Sequence, residues 1–335
     1  MSNHLDLWEH LSSEDVKARL QNIQLPFNRY GYDRFGISRK HLASFYSMLE
    51  PLYKHYFKVR VTGIEEVAAI DKGMLIGNHS GGIPVDAAMI FASLFFDLDP
   101  PKHAHGMVEK FAQNLPFLSS IFSRLGQLSG LPEHAYQILN ENRLLLVFPE
   151  GVRGTGKLYK DRYQLARFGT GFMRIALQTQ SPIIPFAFIG GEEAMPVIYH
   201  AKILAQIFKV PYFPVPKHLI PIPKPEYCEI VYGKPLYFDG KGTESDEVIQ
   251  SYVDQVKEHI TILIQQGRAL REERIKSIEQ EKLNNKAGNM NRIYQATQKL
   301  KMNQSSPLDD SHTEYQKNTE QVTTQSSSTH STYHS

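Results

Sequence analysis

Two short stretches concentrate side chains suited to moving protons and holding anions. Residues 73–86, GMLIGNHSGGIPVD, carry His79 and Asp86 with six residues between them. Residues 148–153, FPEGVR, carry Glu150 and Arg153 around Gly151. An alcohol near neutral pH is almost fully protonated, so its attack on an acyl carbon needs a base that removes the proton as the bond forms, and imidazole is matched to that task. A carboxylate on the other ring nitrogen fixes the tautomer and stabilises the imidazolium. His79 and Asp86 alone also suit a capped turn and an acid at a helix N-terminus. A glycine turn with a solvated ion pair accounts for either cluster separately, but not for both.

Both clusters follow buried strands. Met74–Ile76 and Leu144–Phe148 are short continuous apolar runs, the pattern of strands buried on both faces. Pro84 then opens the helical run DAAMIFASLFF, in the position that proline favours. In open α/β sheets ligands bind outside the carboxyl ends of the strands, which puts His79 and Glu150 at the mouth of one crevice. Further strands are expected over 57–62, 102–108, 182–189 and 229–232, separated by helical stretches. That alternation points to an α/β fold with a mixed, largely parallel sheet flanked by helices. Six prolines between Val210 and Pro225 exclude a regular strand interior or helix there and mark a flap or wall of the site.

Composition narrows the partners. The chain has 335 residues and a formal net charge of +2, so no global field points to nucleic acid. One cysteine, Cys228, excludes an intrachain disulfide. No secretion signal opens the chain and no run reaches the length of a membrane span. Aromatic and basic residues recur at helical spacing between Ser38 and Arg60, which suits either a core-facing helix or one lying on a membrane. The organisation expected is an N-terminal helical region at 1–56 that is a candidate membrane-interface element, a catalytic domain at 57–240, a C-terminal helix at 241–285, and a disordered polar tail at 286–335.

The combination of NHSGGIPVD, FPEGVR and SPIIPFAFIG resembles the phospholipid and glycerol acyltransferase superfamily over about residues 57–235. GEEAMP at 191–196 and PYFP at 211–214 make the run similar to a bacterial branch related to monoacylglycerol and diacylglycerol acyltransferases. The resemblance implies a glycerol-3-phosphate acyltransferase-like fold with an N-terminal helical extension. It implies transfer of a fatty acyl group from acyl-CoA or acyl carrier protein to a hydroxyl of a glycerolipid or lysophospholipid, with no cofactor and no metal. His79 would be the general base and Asp86 its partner, with Asn78, Gly81, Gly82, Glu150, Gly151 and Arg153 binding substrate. The protein would sit peripherally on the cytoplasmic face of a membrane. Two departures stand out. The family usually has four residues between its His and Asp, a spacing that falls on Pro84 here, and the pair Gly81–Gly82 would absorb the longer one. A family block usually ending Gly-x-x-x-x-x-Arg gives Pro132 when counted from Gly126, which favours a lysophospholipid or neutral glyceride over lysophosphatidic acid.

Three rival readings have sequence support. GVRGTGK at 151–157 meets the spacing of a phosphate-binding loop, but Leu158 stands where Mg²⁺ binding needs Ser or Thr. His103 and His105 alternate like metal ligands on a strand, without a carboxylate cluster to complete the site. A non-catalytic lipid-binding scaffold would keep the fold and lose the base.

Overall fold

The structure is a computed structural model that describes residues 12–83, 85–108, 118–208, 210–220 and 222–304. Pro84 and the tail beyond Gln304 lie outside the described residues. The strands are β1 (Arg60–Thr62), β2 (Gly73–Gly77), β3 (Ala104–Val108), β4 (Gln127–Ser129), β5 (Leu144–Val147), β6 (Ile183–Ile189), β7 (Val197–His200), β8 (Pro214–Pro216) and β9 (Glu229–Tyr232). The longer helices are α1 (Glu14–Asn22), α2 (Arg39–Pro51), α3 (Val85–Phe96), α4 (Leu118–Arg124), α5 (Pro132–Asn140), α6 (Gly171–Thr179) and α7 (Asp246–Gln304).

Seven strands form one sheet in the order β1-β9-β6-β2-β5-β3-β4. β2 lies in its middle and runs parallel to β5 on one side and β6 on the other. β3 and β4 continue the parallel run, and β9 is antiparallel to β6. The sheet is therefore mixed and largely parallel. Its central strands are apolar throughout because both faces are covered: every residue of β2 and of β6 is buried. Side chains of β2 alternate between faces. Leu75 packs with Val16, Leu42, Tyr46 and Phe95 from α1, α2 and α3, whereas Met74 and Ile76 pack with Ile138, Met173 and Ile260 from α5, α6 and α7.

This packing decides the role of the N-terminal helices. Ser38 caps α2 by accepting from the amide of His41, and a π-helical turn at Leu52–Tyr56 follows Pro51. Leu42, Ala43, Tyr46, Leu49, Tyr53 and Phe57 are all buried, and Tyr46 stacks on Phe95 with ring centroids 3.6 Å apart. The aromatic stripe between Ser38 and Arg60 thus faces the core, as the core-facing reading of this helix expects, while Met48 on the same helix is half exposed.

Two further differences from the sequence reading have local causes. β7 and β8 form a small antiparallel sheet of their own, whose prolines and exposed side chains hide the usual strand pattern. Helix α7 continues past residue 285 to Gln304, into the stretch expected to be disordered. Residues 286–304 contain Ala, Gln, Lys and Met and no proline, so intrinsic propensity favours the helix even where residues 281–300 are exposed. The chain divides into a compact unit through Ile275 and a second beginning at Lys276. No described helix is long and apolar enough to cross a membrane.

Candidate active site

Three neighbouring parallel strands, β5, β2 and β6, end at the same edge of the sheet. The loops that follow them carry Phe148–Arg153, Asn78–Gly82 and Gly190–Glu193. Side chains far apart in sequence therefore meet at that edge.

His79 is the centre of the contact network. Its Nδ1 lies 2.6 Å from Asp86 Oδ2. The carboxylate accepts there, so Nδ1 carries the proton and Nε2 presents its lone pair. No hydrogen bond among the described residues uses Nε2. The same Asp86 oxygen accepts from the Ser80 amide at 2.7 Å and the Ser80 hydroxyl at 3.0 Å, while Oδ1 accepts from the Ala87 amide at 2.7 Å. Asp86 is fully buried in the first turn of α3, where the helix N-terminus favours a negative charge. The long His–Asp spacing closes because the intervening chain bulges at the glycines. Gly82 has φ +94°, a conformation that costs glycine little, and its amide donates to Thr155 O at 2.8 Å. A Cβ on Gly81 would sit 2.5 Å from Lys157 O.

Glu150 holds the loop from the other side. One carboxylate oxygen accepts the His79 amide at 2.8 Å and the other accepts the Ala166 amide at 2.7 Å. Lys157 Nζ pairs with it at 3.2 Å. Gly154 lets this turn approach: a Cβ there would lie 2.7 Å from His79 Cβ and 2.8 Å from Glu150 Cβ. The His79 ring stacks on Phe148 at 4.1 Å between centroids.

The expected substrate-binding residues divide in two. Asn78 donates to Phe188 O at 2.9 Å and accepts from Phe188 N at 2.8 Å, so its buried amide ties the end of β2 to β6 and is not free for substrate. Glu150 is likewise bonded within the protein, to the His79 and Ala166 amides and to Lys157, and Gly81 and Gly82 pack closely against Lys157 O and Met195. Glu150, Gly151 and Arg153 border open space, a depression of about 370 Å³ lined also by Phe148, Pro149 and Val152. Arg153 is exposed and stands outside every ion pair found among the described residues.

The rival readings meet the same geometry. Lys157, the lysine of the phosphate-loop pattern, is buried and bound to Glu150 and Gln164 O. His103 donates from Nε2 to Leu125 O at 3.1 Å and accepts the Tyr46 hydroxyl at 2.7 Å. His105 donates to Gly126 O at 3.2 Å and accepts from Arg143 at 3.1 Å. Burial lowers the His103 pKa to about 4, and both rings are neutral core histidines with every nitrogen occupied.

One site residue had no sequence signal beyond its place in GEEAMP. Glu192 is buried, and neither carboxylate oxygen has a hydrogen-bond partner on another described residue. Burial pushes its pKa up to about 7, with Lys157 opposing the rise and Glu193 and Asp86 adding to it. Its neighbour Gly191 packs against Ser80, where a Cβ would lie 2.8 Å from the serine Oγ.

Comparison with known proteins places this site in context. Residues 58–189 match the Acyltransferase family, a range that contains His79, Asp86, Glu150 and Arg153. An uncharacterised protein of Mycobacterium leprae is 32% identical over 276 residues, covering 76% of this chain and 75% of its own. A protein of Gallus gallus described as a DGAT1/2-independent enzyme synthesizing storage lipids is 27% identical over 137 residues, 40% of each chain. The crystal structure of the 1-acyl-sn-glycerophosphate acyltransferase PlsC from Thermotoga maritima superposes with a TM-score of 0.48 at 17% identity, covering 79% of this chain and 95% of that one. By its matched domain and its relatives, the chain belongs to the phospholipid and glycerol acyltransferase superfamily and is an acyltransferase.

Proposed function

We propose that the protein moves a fatty acyl group from an acyl thioester, acyl-CoA or acyl carrier protein, to a hydroxyl of a glycerolipid or lysophospholipid, with His79 as general base. The observation that carries this reading is the Nε2 of His79, which no described residue engages, aimed by the 2.6 Å contact between Nδ1 and Asp86 on a ring stacked against Phe148, which lines the depression.

The steps follow from that arrangement. An acceptor hydroxyl gives its proton to Nε2 as its oxygen attacks the thioester carbonyl, and Asp86 stabilises the imidazolium that forms. The tetrahedral intermediate collapses by breaking the carbon–sulfur bond. The leaving thiolate takes the proton back from His79, leaving an ester and a free thiol. No cofactor is required beyond the donor. Direct transfer is favoured over an acyl-serine because Ser80 is buried and its hydroxyl donates to Asp86, away from the free imidazole nitrogen.

The test is acyl-CoA consumption by the purified protein offered lysophospholipids, monoacylglycerol, diacylglycerol and long-chain alcohols. His79→Ala should fold normally and lose transfer by ~10² to 10⁴, the usual contribution of a general base. Wild-type turnover by that variant would end the proposal.

A further inference from the structure

The β7–β8 lobe, residues 197–224, concentrates exposed large apolar side chains. Ile203, Ile207, Phe208, Leu219, Ile220 and Ile222 are between 57 and 74% exposed. Soluble surfaces scatter large apolar side chains singly, and a cluster of this kind marks an interaction site. Ile203 and Ile207 are one helical turn apart on the short helix Lys202–Ile207, the spacing that puts two side chains on one face. Leu219, Ile220 and Ile222 lie in the loop after β8, at the other end of the same hairpin.

The charge pattern identifies the partner. Between Glu193 and Glu226 the chain has no acidic residue and four lysines, at 202, 209, 217 and 224. Lys202, Lys217 and Lys224 are exposed and stand outside every ion pair found among the described residues. Exposed apolar side chains interleaved with unneutralised lysines match the boundary between acyl chains and anionic headgroups, where the first insert and the second meet phosphate. A protein partner of ordinary composition would not require the exclusion of every carboxylate.

The lobe is also joined to the catalytic loops. His200 Nε2 donates to Gly156 O at 2.9 Å, and Met195 and Val197 close on Gly82, whose Cβ would lie 3.0 Å from the methionine sulfur and 3.3 Å from the valine. We propose that the β7–β8 lobe is the membrane-docking surface of this enzyme, binding anionic lipid through these isoleucines, leucine and phenylalanine with the three lysines around them. For acceptor delivery this rests on the acyl-transfer reading above: an insoluble acceptor would reach His79 from the bilayer the lobe sits on.

The experiment is co-sedimentation of the full chain with vesicles of phosphatidylcholine alone and of phosphatidylcholine and phosphatidylglycerol in equal parts. Wild type should bind the anionic vesicles and release with salt. Ile203→Glu with Ile207→Glu should weaken binding at least tenfold, and each of Lys202→Gln, Lys217→Gln and Lys224→Gln roughly fivefold. The melting temperature and transfer to a water-soluble short-chain acceptor should stay unchanged. His79→Ala should bind as wild type does, which separates failure of docking from failure of the catalytic reading. Absence of wild-type binding, or equal binding by the double Ile variant, overturns the proposal. So does a dimer of the free protein that the double Ile variant dissociates while vesicle binding is unchanged.

Discussion

Glu150 accepts the backbone amide of His79 at 2.8 Å across the ends of two neighbouring strands. The acid of the FPEGVR block thus fixes the main chain of the base, while Asp86 fixes its ring. Position and tautomer are controlled by separate carboxylates.

Replacing Glu150 should therefore disturb geometry before chemistry. Glu150→Gln keeps one acceptor oxygen and gives up the Lys157 ion pair and one of the two amide contacts. Hydrogen bonds to charged groups contribute about 1.5–3 kcal/mol each, so thermal unfolding should show a loss of that order, with kcat falling as the His79 loop relaxes. A variant with normal stability and reduced kcat would show instead that Glu150 touches substrate.

Asp86→Asn should cost much more than its irregular spacing suggests. The amide would offer an N–H or a weaker acceptor to Nδ1, losing the tautomer that leaves Nε2 basic. In comparable triads that change lowers kcat by roughly 10⁴. Single-turnover transfer at saturating donor measures it, and a loss below tenfold would mean that the imidazole is oriented without Asp86.

The contrast between these two acids shows what a sequence displays and what it hides. β2, β5 and β6 are legible because strands buried on both faces leave continuous apolar runs, and so the loops bearing His79 and Glu150 could be located. The uses of Asn78 and Glu150 are not legible, because their partners Phe188, Ala166 and Lys157 come into reach only when β5 and β6 flank β2. The His79–Asp86 contact defeats a count of residues, since the turn at Gly82 takes up the extra length. The aromatic stripe of α2 reads alike for core and membrane. Only the arrival of Phe95 and α1 against Tyr46 and Leu42 shows which of its residues enter the core.

Glu192 gives the molecule a pH-dependent weakness. Its folded pKa, near 7, lies above its ordinary value of 4.5. At pH below that ordinary value both states hold the proton and the burial is tolerated. As pH rises towards 7 the unfolded chain releases the proton while the folded one keeps it, so stability falls, and above the folded pKa the full penalty persists. Glu192→Gln removes the titration and should stabilise the protein in alkaline buffer by at most roughly 3 kcal/mol, with little gain in acid. Melting curves across that range test this, and an equal shift at both extremes would assign the effect to packing alone.

Arg153 offers the means of telling acceptor classes apart. It borders the depression beside His79, is exposed, and is not neutralised by Glu150, whose partner is Lys157. A guanidinium in that position can bind a pair of phosphate oxygens bidentately, whereas a neutral glyceride presents only hydroxyl and ester oxygens. For a phosphate-bearing acceptor, Arg153→Ala should lose a charge-assisted contact of roughly 1.5–3 kcal/mol, about one to two decades in kcat/KM. Pro132 begins helix α5 where the family usually places a second arginine, so the loss should fall towards the lower end of that range. Lysophosphatidic acid and monoacylglycerol should be compared on wild type, Arg153→Ala and Arg153→Lys. A selective loss on the phosphate acceptor, partly restored by lysine, would assign Arg153 to headgroup recognition. Equal losses on both acceptors would mean that Arg153 acts through the shape of the loop, and the choice of acceptor would then lie elsewhere around the depression.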